Sequence, residues 1–283
     1  MPSLRDLRRR IQSVKKTQQI TRAMRMVSAA KLRRAQQRIL AARPYSDRMI
    51  QTFRDVLAAN PELDHPLLQP PKAPGRLELV VVTSDRGLAG AFNANVLKLA
   101  QREIAEHVSG FEGLSLYLIG RKVVEYFRRR RPGDIDVAKL FGVARYDTAA
   151  EVAGHLAKRY LAGEISAARI VYSEFASALS QTPRVVRLLP AQVEQAADAV
   201  PFSAEPDLAK LLALLVPKTF EVAIYRALLE SEAGEHGARM TAMEAATRNG
   251  EEMIGSLTLR FNHARQAAIT RELVEIITGA EAL

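Results

Sequence analysis

The sequence of 283 residues contains no cysteine and no tryptophan, and aromatic residues make up only 6% of it. Without cysteine there can be no disulfide, thiolate metal site, catalytic thiol or thiol redox switch in this chain. Long apolar runs are also missing, because the best candidates, at 79–84 and 211–216, are far shorter than the ~18 to 20 residues of a membrane span. The amino terminus lacks the apolar segment of a secretory signal. We therefore expect a soluble protein that needs no processing at its amino terminus.

Glycine is absent between Ser3 and Asn60, where proline occurs only at Pro44. This segment consists mostly of good helix formers, and apolar residues recur in it at the 3-4-3 spacing of a coiled coil. The pattern predicts one helix of about 85 Å, kinked near Pro44, whose missing N–H breaks a helical hydrogen bond. The recurring residues are Leu4, Leu7, Ile11, Val14, Leu32, Ala35, Ile39, Ala42, Ser46, Met49, Phe53 and Val56.

The middle of this predicted helix has a different pattern. Polar residues hold the continued heptad positions there, and apolar residues form a displaced stripe, so we predict that the hydrophobic seam shifts around the helix. The polar heptad residues are Gln18, Thr21, Arg25 and Ser28, and the displaced stripe is Ile20, Met24 and Val27.

Positive charge is concentrated in the same segment. Residues 1–60 hold 15 Lys and Arg and only three acids, whereas the remainder holds 26 basic and 28 acidic residues. Few acids at i,i+4 positions relieve the repulsion, which favours an acidic partner. A nucleic acid would call for interleaved aromatic residues or a short recognition helix, and the segment has only Tyr45 and Phe53, near its end. We favour a protein partner and keep a basic coiled-coil nucleic-acid-binding protein as the alternative.

The pattern changes after a connector at 61–75, which holds five of the 13 prolines and ends the helix. Short β-branched runs then alternate with helical patterns from 76 to 190, which predicts a mostly parallel sheet covered by helices. The predicted strands are 77–83, 114–119, 135–140, 169–175 and 184–189, and the predicted helices are 93–107, 121–130 and 148–162.

Helical periodicity returns in residues 207–283, after a second connector at 191–206. From Met240 to Ala268, apolar or small residues keep heptad spacing. Two long amphipathic ends are expected to pair with each other, which gives an α/β fold class in which a long antiparallel coiled coil carries an inserted domain. The second helix is expected to bend or break at three residues: Pro217, Gly234 and Gly237.

A glycine-rich turn at 83–93, TSDRGLAGAFN, lies between a predicted strand and a predicted helix, where phosphates often bind. It matches neither the dinucleotide fingerprint nor the P-loop, and the acidic ribose partner expected further on is ambiguous (Glu103 or Glu106). We interpret it as a tight strand-to-helix turn. The less favoured hypothesis is a nucleotide-dependent enzyme that binds its cofactor at this turn.

Other arrangements of catalytic or metal-binding side chains are not evident. The five histidines lie far apart and never at H-x-x-x-H spacing. Asp134 and Asp136 follow Pro132 and Gly133, which is more typical of a turn than of a metal site. No G-x-S-x-G elbow is present. We therefore expect no catalytic, cofactor-binding or metal-binding residues in this chain.

The segment IQSVKKTQQITRAMRMVSAAK, at 11–31, closely resembles the gamma subunits of F-type ATP synthases. The similarity recurs at 84–93, which resembles the family's D-R-G-L-C-G motif with Ala89 at the cysteine, and at 239–249 and 262–273. It covers essentially the whole chain. The resemblance implies a coiled coil of the terminal helices with an inserted Rossmann-like α/β domain, in the segments 1–60, 61–75, 76–190, 191–206 and 207–283.

The resemblance implies a central rotor shaft that is not itself an enzyme, with one copy per complex inside three alpha and three beta subunits. The α/β domain and the lower shaft would rest on the c-ring of the membrane sector and carry an epsilon subunit, without direct membrane insertion, cofactor or nucleic acid. Proton or sodium flow would turn the ring and the shaft, and the beta sites would make or hydrolyse ATP. A peripheral location at the cytoplasmic face of a bacterial cell membrane, in the F1 sector, is the simplest expectation.

The resemblance also implies residues that bind partners. Met24 lies at the family's coupling-sensitive methionine, and Arg265 with Gln266 matches the pair that engages a beta-subunit loop. Polar patches in both seams suit a shaft that slides within its bearing, because unbroken apolar stripes would bind each surrounding subunit too tightly. Three cations are candidates for facing the acidic beta loop: Arg22, Arg25 and Lys31.

Overall fold

The structure, a computed structural model, describes residues 3–59, 65–71, 75–191 and 208–281. Two compact units are present, one of residues 1–28 with 240–283 and one of residues 29–239. Most of the two predicted connectors lies outside the described residues, and the division into five segments stays a prediction. In chain order the helices and strands are α1 (Leu4–Ala59), β1 (Arg76–Val82), α2 (Phe92–His107), β2 (Gly113–Ile119), α3 (Arg121–Arg128), β3 (Ile135–Lys139), α4 (Tyr146–Leu161), β4 (Ile165–Phe175), β5 (Gln181–Leu189) and α5 (Leu208–Glu281).

A capping pair formed by Ser3 and Asp6 marks the start of helix α1. The Ser3 hydroxyl donates to the Asp6 carboxylate at 2.7 Å, and the Asp6 N–H donates back to the Ser3 hydroxyl at 3.2 Å. This reciprocal arrangement satisfies donors that the first helical turn leaves free. Pro44 lies inside α1, which continues through it as one helix of 56 residues.

Helix α5 runs as a single helix of 74 residues through Pro217, Gly234 and Gly237, so the predicted break at these residues is wrong. Leu212, Val216 and Phe220 are buried around the proline, so packing offsets the missing hydrogen bond. The two glycines allow α5 to lie close to residues of the sheet domain. A Cβ on Gly234 would lie 3.1 Å from the ring of Phe92, and one on Gly237 would lie 3.3 Å from the Cα of Ala178.

The inserted domain holds a five-stranded sheet in the order β3-β2-β1-β4-β5. The first three pairings are parallel and β5 is antiparallel to β4, which confirms the prediction of a mostly parallel sheet. Leu79, Leu116 and Val171 form one core with buried residues of α2 and α3. Residues of the opposite parity face α4, where Arg159 donates to Ser115 at 2.9 Å.

Strand β4 begins at Ile165, four residues before the predicted start. Its first residues include Ser166, Ala167 and Ala168, which are small and lack the β-branched pattern that identifies strands. All three are buried, and the Ser166 hydroxyl donates to the carbonyl of Gly75 at 3.1 Å. Tertiary packing therefore extends the strand beyond its sequence signal.

Within the unit of residues 29–239, helix α5 packs between α1 and the sheet domain. Residues 227–237 are buried on every face, including Glu232, which accepts hydrogen bonds from Arg38 of α1 and from the Ala144 N–H. The Ser231 hydroxyl lies 3.5 Å from the N–H of Ser173 in β4. A helix enclosed in this way has no solvent-facing side. Among the described residues, no helix carries a segment long and apolar enough to cross a membrane.

Candidate functional site

The unit of residues 1–28 and 240–283 is an antiparallel pair formed by the start of α1 and the end of α5. The Arg8 guanidinium lies 5.6 Å from the centre of the Phe261 ring, while Arg25 forms an ion pair with Glu244 at 3.7 Å. Residue numbers therefore rise along α1 as they fall along the facing part of α5, so the two helices are antiparallel. The residues that keep heptad spacing on α5, from Met240 to Ala268, are all buried or half-buried, as the predicted seam requires.

The middle of this seam is polar. The hydroxyls of Thr21 and Thr247 are 2.8 Å apart, and the Gln18 amide donates to the carbonyl of Thr247 at 3.4 Å. A Cβ on Gly250 would lie 3.5 Å from Gln18, so the two helices come close here. Ser28 is buried as well. Hydrogen bonds, rather than apolar burial alone, hold this part of the pair together.

The predicted shift of the hydrophobic seam around α1 is wrong. The packed positions remain the polar heptad residues, while Ile20 is 60% exposed and Val27 is 56% exposed. Met24 is half-buried, and Met26, which the sequence pattern did not single out, is exposed. The apolar stripe moves away from the contact surface, so this part of α1 shows apolar side chains to the outside of the pair.

The candidate partner-binding residues fall in separate places. Arg22 is exposed, Arg25 is partly covered by its ion pair with Glu244, and Lys31 is exposed in the other unit. Arg265 and Gln266 are both exposed near the carboxyl end of α5. Because Arg25 faces Glu244, Arg265 lies about 21 residues, or ~30 Å, along the pair from Met24. The structure does not bring these two groups together.

A surface that sequence reasoning did not assign to partner binding follows the seam on α5. Seven large apolar side chains are about half or more exposed there, although monomeric soluble proteins rarely expose large contiguous apolar patches. In the sequence, the sign of this surface is a set of apolar residues at 269–277 that are shifted from the heptad positions of Met240 to Ala268. The residues are Met253, Leu259, Ile269, Leu273, Val274, Ile276 and Ile277.

Hydrogen bonds tie the glycine-rich turn to other parts of the chain. The Arg239 guanidinium of α5 donates to the carbonyls of Gly87 and Arg86, at 3.2 and 3.3 Å. Asp85 accepts N–H groups from the two loops beside the turn, at 2.8 to 3.0 Å. Burial raises the pKa of the Asp85 carboxyl, but these hydrogen bonds outweigh it and hold the pKa below its usual value.

One group of side chains has the composition of a metal site. Potential ligand atoms of Glu78, Asp136 and His155 lie within 4.8 Å of one another. However, the Arg159 guanidinium donates to both Glu78 and Asp136, so a cation already occupies the place between the carboxylates. Asp136 belongs to β3 and not to a turn, whereas Asp134 ends a short 3-10 turn. The group is better described as an ion-pair network under α4.

Comparison with known proteins identifies the family. A family model described as ATP synthase matches residues 3–283. The ATP synthase gamma chain of an Anaeromyxobacter species is 51% identical over 295 residues, with 100% of each chain covered. The chain belongs to the ATP synthase gamma chain family. The gamma chain of Pelotomaculum thermopropionicum is 48% identical, again over the full length of both chains. The predicted family resemblance is confirmed.

Solved structures show the same fold at lower identity. A chain in the cryo-EM structure of the Euglena gracilis mitochondrial ATP synthase has a TM-score of 0.72 and 22% identity, covering 99% of this chain and 94% of that one. A chain in the central stalk and c-ring structure of the Tetrahymena thermophila mitochondrial ATP synthase has a TM-score of 0.61 and 23% identity, covering 80% and 99%. The predicted α/β fold class, with paired terminal helices and an inserted domain, is confirmed.

Proposed function

We propose that this chain is the central rotor shaft of an F-type ATP synthase, which couples proton or sodium flow through a membrane ring to ATP synthesis or hydrolysis on other subunits. The observation that carries the proposal is full-length identity of 46 to 51% with gamma chains such as those of Geotalea uraniireducens and an Anaeromyxobacter species. The matched Tetrahymena structure is that of a central stalk with its c-ring, which supports the same role.

In the proposed complex one copy of the chain lies inside three alpha and three beta subunits, and the inserted domain contacts the c-ring and an epsilon subunit. The chain would be peripheral, at the cytoplasmic face of a bacterial cell membrane. ATP would bind to the partners and not to this chain.

The terminal pair of helices has the surface that such a shaft needs. Cations such as Arg22 and half-buried Met24 lie on the α1 side, while the carboxyl end of α5 exposes large apolar residues. The two helices differ in sequence, so the pair is asymmetric and each rotational position would present a different side to a given beta subunit. Differences in binding free energy between those positions would then drive the beta sites through their binding states.

The polar residues of the seam lie between the two helices and do not face a bearing. The hydrogen bond between Thr21 and Thr247 joins the two helices without adding apolar surface to the outside of the pair. Polar side chains on the outside of the pair would release the surrounding subunits more easily, but Ile20 and Val27 are exposed there, so the polar seam does not account for sliding within a bearing.

Assembly with alpha and beta subunits tests the proposal. Purified chain mixed with the alpha and beta subunits of its own ATP synthase should give a complex with one copy per three of each, and that complex should hydrolyse ATP. A chain that stays separate from well-folded alpha and beta subunits, and instead binds DNA with strong salt dependence, would favour the nucleic-acid alternative.

Substitution of Met24 tests the first candidate contact. Met24→Lys adds a charge at the bearing and should lower the number of ions pumped per ATP in reconstituted vesicles. Met26→Lys is a matched control, because it adds the same charge about 200° further round the same helix. Equal coupling in both variants and in the unchanged enzyme would remove the role of Met24.

Substitution of Arg265 tests the second candidate contact. Arg265→Ala should lower turnover or torque in the assembled complex, because Arg265 is exposed and available to a beta-subunit loop. Arg260→Ala removes an exposed arginine from a different face of the same helix and serves as the control. Unchanged turnover and torque in Arg265→Ala would exclude the proposed contact.

A further inference from the structure

Two sequence motifs separated by about 150 residues meet at one point in the unit of residues 29–239. Arg239 opens the carboxyl-terminal motif on α5, and Gly87 lies in the glycine-rich turn after β1. The Arg239 Nη2 donates to the Gly87 carbonyl at 3.2 Å and to the Arg86 carbonyl at 3.3 Å, and Nε lies 3.4 Å from the Gly87 carbonyl. Arg239 is only 7% exposed, so water cannot easily replace these bonds.

On the helix side the guanidinium is held by its own element. Arg239 Nη1 forms an ion pair with the Glu235 carboxylate, one turn earlier on α5, at 2.7 Å. Burial raises the pKa of Glu235, and the charge of Arg239 opposes that shift. With both partners nearly buried, the pair cannot open without leaving an uncompensated charge, and Arg239 is therefore fixed to the helix.

On the domain side the turn is tied to its surroundings. The Asp85 carboxylate accepts the N–H groups of Arg121, Phe141 and Gly142, which belong to the segments after β2 and after β3. Leu88 has a φ of 63°, in the left-handed region that a leucine enters only when neighbouring contacts fix it. Force applied to the Gly87 carbonyl is thus passed to the ends of three neighbouring strands.

We propose that Arg239 is a positioning residue that locks the α/β domain against twisting about α5, so that torque passes between the domain and the shaft. The proposal rests on the rotor function proposed above. Apolar contacts such as that between Gly234 and Phe92 resist separation of the two surfaces, but they are non-directional and permit sliding. Hydrogen bonds from a planar guanidinium to two successive carbonyls are directional and resist rotation.

The chemistry of the lock requires arginine. Three donor nitrogens serve Gly87, Arg86 and Glu235 at once in a rigid planar fork. A lysine ammonium has three donors on a flexible stem and cannot match two adjacent carbonyls and a carboxylate with the same geometry. Arg239→Lys should therefore keep the charge and lose part of the lock, whereas Arg239→Met should keep the packing volume and lose all of it.

Torsional stiffness in the assembled complex tests the proposal. Because the chain has no cysteine, a single Lys158→Cys substitution on the exposed side of α4 gives a unique attachment point for a bead on the α/β domain. The complex is held without ATP, and the angular fluctuation of the bead is recorded. Arg239→Met should increase the variance at least about twofold, with Arg239→Lys between the two, as a softer spring gives a larger thermal fluctuation.

Two controls separate the lock from a general loosening of the fold. Arg248→Met removes an exposed arginine of the same helix and should leave the variance unchanged. A bead attached through Lys218→Cys, on α5 itself, should fluctuate equally with and without Arg239→Met. A variance that stays the same in Arg239→Met with the bead on α4, or that rises equally at both bead positions, would overturn the proposal.

Hydrogen exchange on the purified chain gives a second measurement that does not need the complex. Arg239→Met should speed exchange of the amides at 84–91 while those of α4 keep their protection. Glu235→Gln, which frees the guanidinium from its helix, should give a smaller change at the same amides. Unchanged exchange at 84–91 would count against the lock even if the complex fails to assemble. A complex of the unchanged chain that assembles but does not rotate would refute the rotor function instead.

Discussion

The close contact between α5 and the sheet domain at Gly234 leads to a quantitative prediction. A Cβ at this position would lie 3.1 Å from the Phe92 ring and 3.5 Å from the Gln181 Cγ and the Ser173 Oγ. Gly234→Val adds this atom and two methyl groups to a buried interface. Overpacking of this kind costs about 1 to 3 kcal/mol, whereas the better helix propensity of valine recovers only about 0.3 to 0.5 kcal/mol. We expect a net loss of roughly 0.5 to 2.7 kcal/mol in the free energy of unfolding.

Gly154→Val is the matched control for this prediction. Gly154 lies on the exposed side of α4 in the same unit, and none of the described heavy atoms would lie within 4 Å of an added Cβ. The same substitution there should raise the free energy of unfolding by about 0.3 to 0.5 kcal/mol through helix propensity alone. Urea unfolding of the two purified variants, followed by circular dichroism, gives the comparison. Equal stability would refute close approach as the reason for glycine at 234.

Three further predictions concern buried polar contacts. Glu232→Ala should lower the free energy of unfolding by about 2 kcal/mol or more, because it leaves the Ala144 N–H and partly exposed Arg38 without their buried acceptor. Glu244→Ala removes an exposed ion pair and should lower it by at most about 0.5 kcal/mol. Similar losses in urea unfolding of the two variants would contradict this prediction. Replacing Thr21 and Thr247 together by valine should change stability less than the sum of the two single changes, and additive costs in this double-mutant cycle would show that the hydroxyls do not interact. Burial, with Arg239, Lys31 and Arg38 nearby, lowers the pKa of His236 to about 4, so the unfolded chain binds the proton first as pH falls. The stability contributed by neutral His236 is therefore complete above pH 6.5 and is lost between pH 6.5 and pH 4, by at most about 1.4 kcal/mol per pH unit. His236→Asn should flatten this loss of stability, and an unchanged slope would exclude His236 as its source.

The elements of the fold follow from patterns that are local in the sequence. Heptad spacing in α1 correctly predicts which residues between Leu4 and Val56 are buried or half-buried, because periodicity indicates which side of a helix packs against a neighbour. Alternation of β-branched runs and helices likewise predicts a parallel sheet. The weak start of β4 was missed because Ser166 and Ala167 show no local preference and are held by packing against residues distant in the sequence.

The contacts that assemble those elements could not be predicted in the same way. Gly234 and Gly237 have the local signature of helix breakers, but they serve close approach to residues at 92 and 178 that no local pattern connects to them. The seam of α1 was expected to follow its apolar stripe, but the packed face depends on the partner helix, which supplies Thr247 and Gly250 opposite the polar residues.

Resemblance to the family, and not side-chain chemistry, identifies the candidate partner-binding residues. No rule of composition or spacing selects Met24 or Arg265 from the other methionines and arginines, because their proposed role depends on surfaces of other subunits. The contact of Arg239 with Gly87 joins two recognised motifs, yet neither motif signals the other, since the interaction uses backbone carbonyls, which every residue has.

Direct observation of rotation tests the central claim most simply. The chain is assembled with alpha and beta subunits fixed to a surface, a bead is attached to the α/β domain, and ATP is added. The rotor function predicts stepwise rotation in one direction, with a rate that follows ATP concentration. An assembled complex that hydrolyses ATP while the bead only fluctuates about a fixed angle would contradict it.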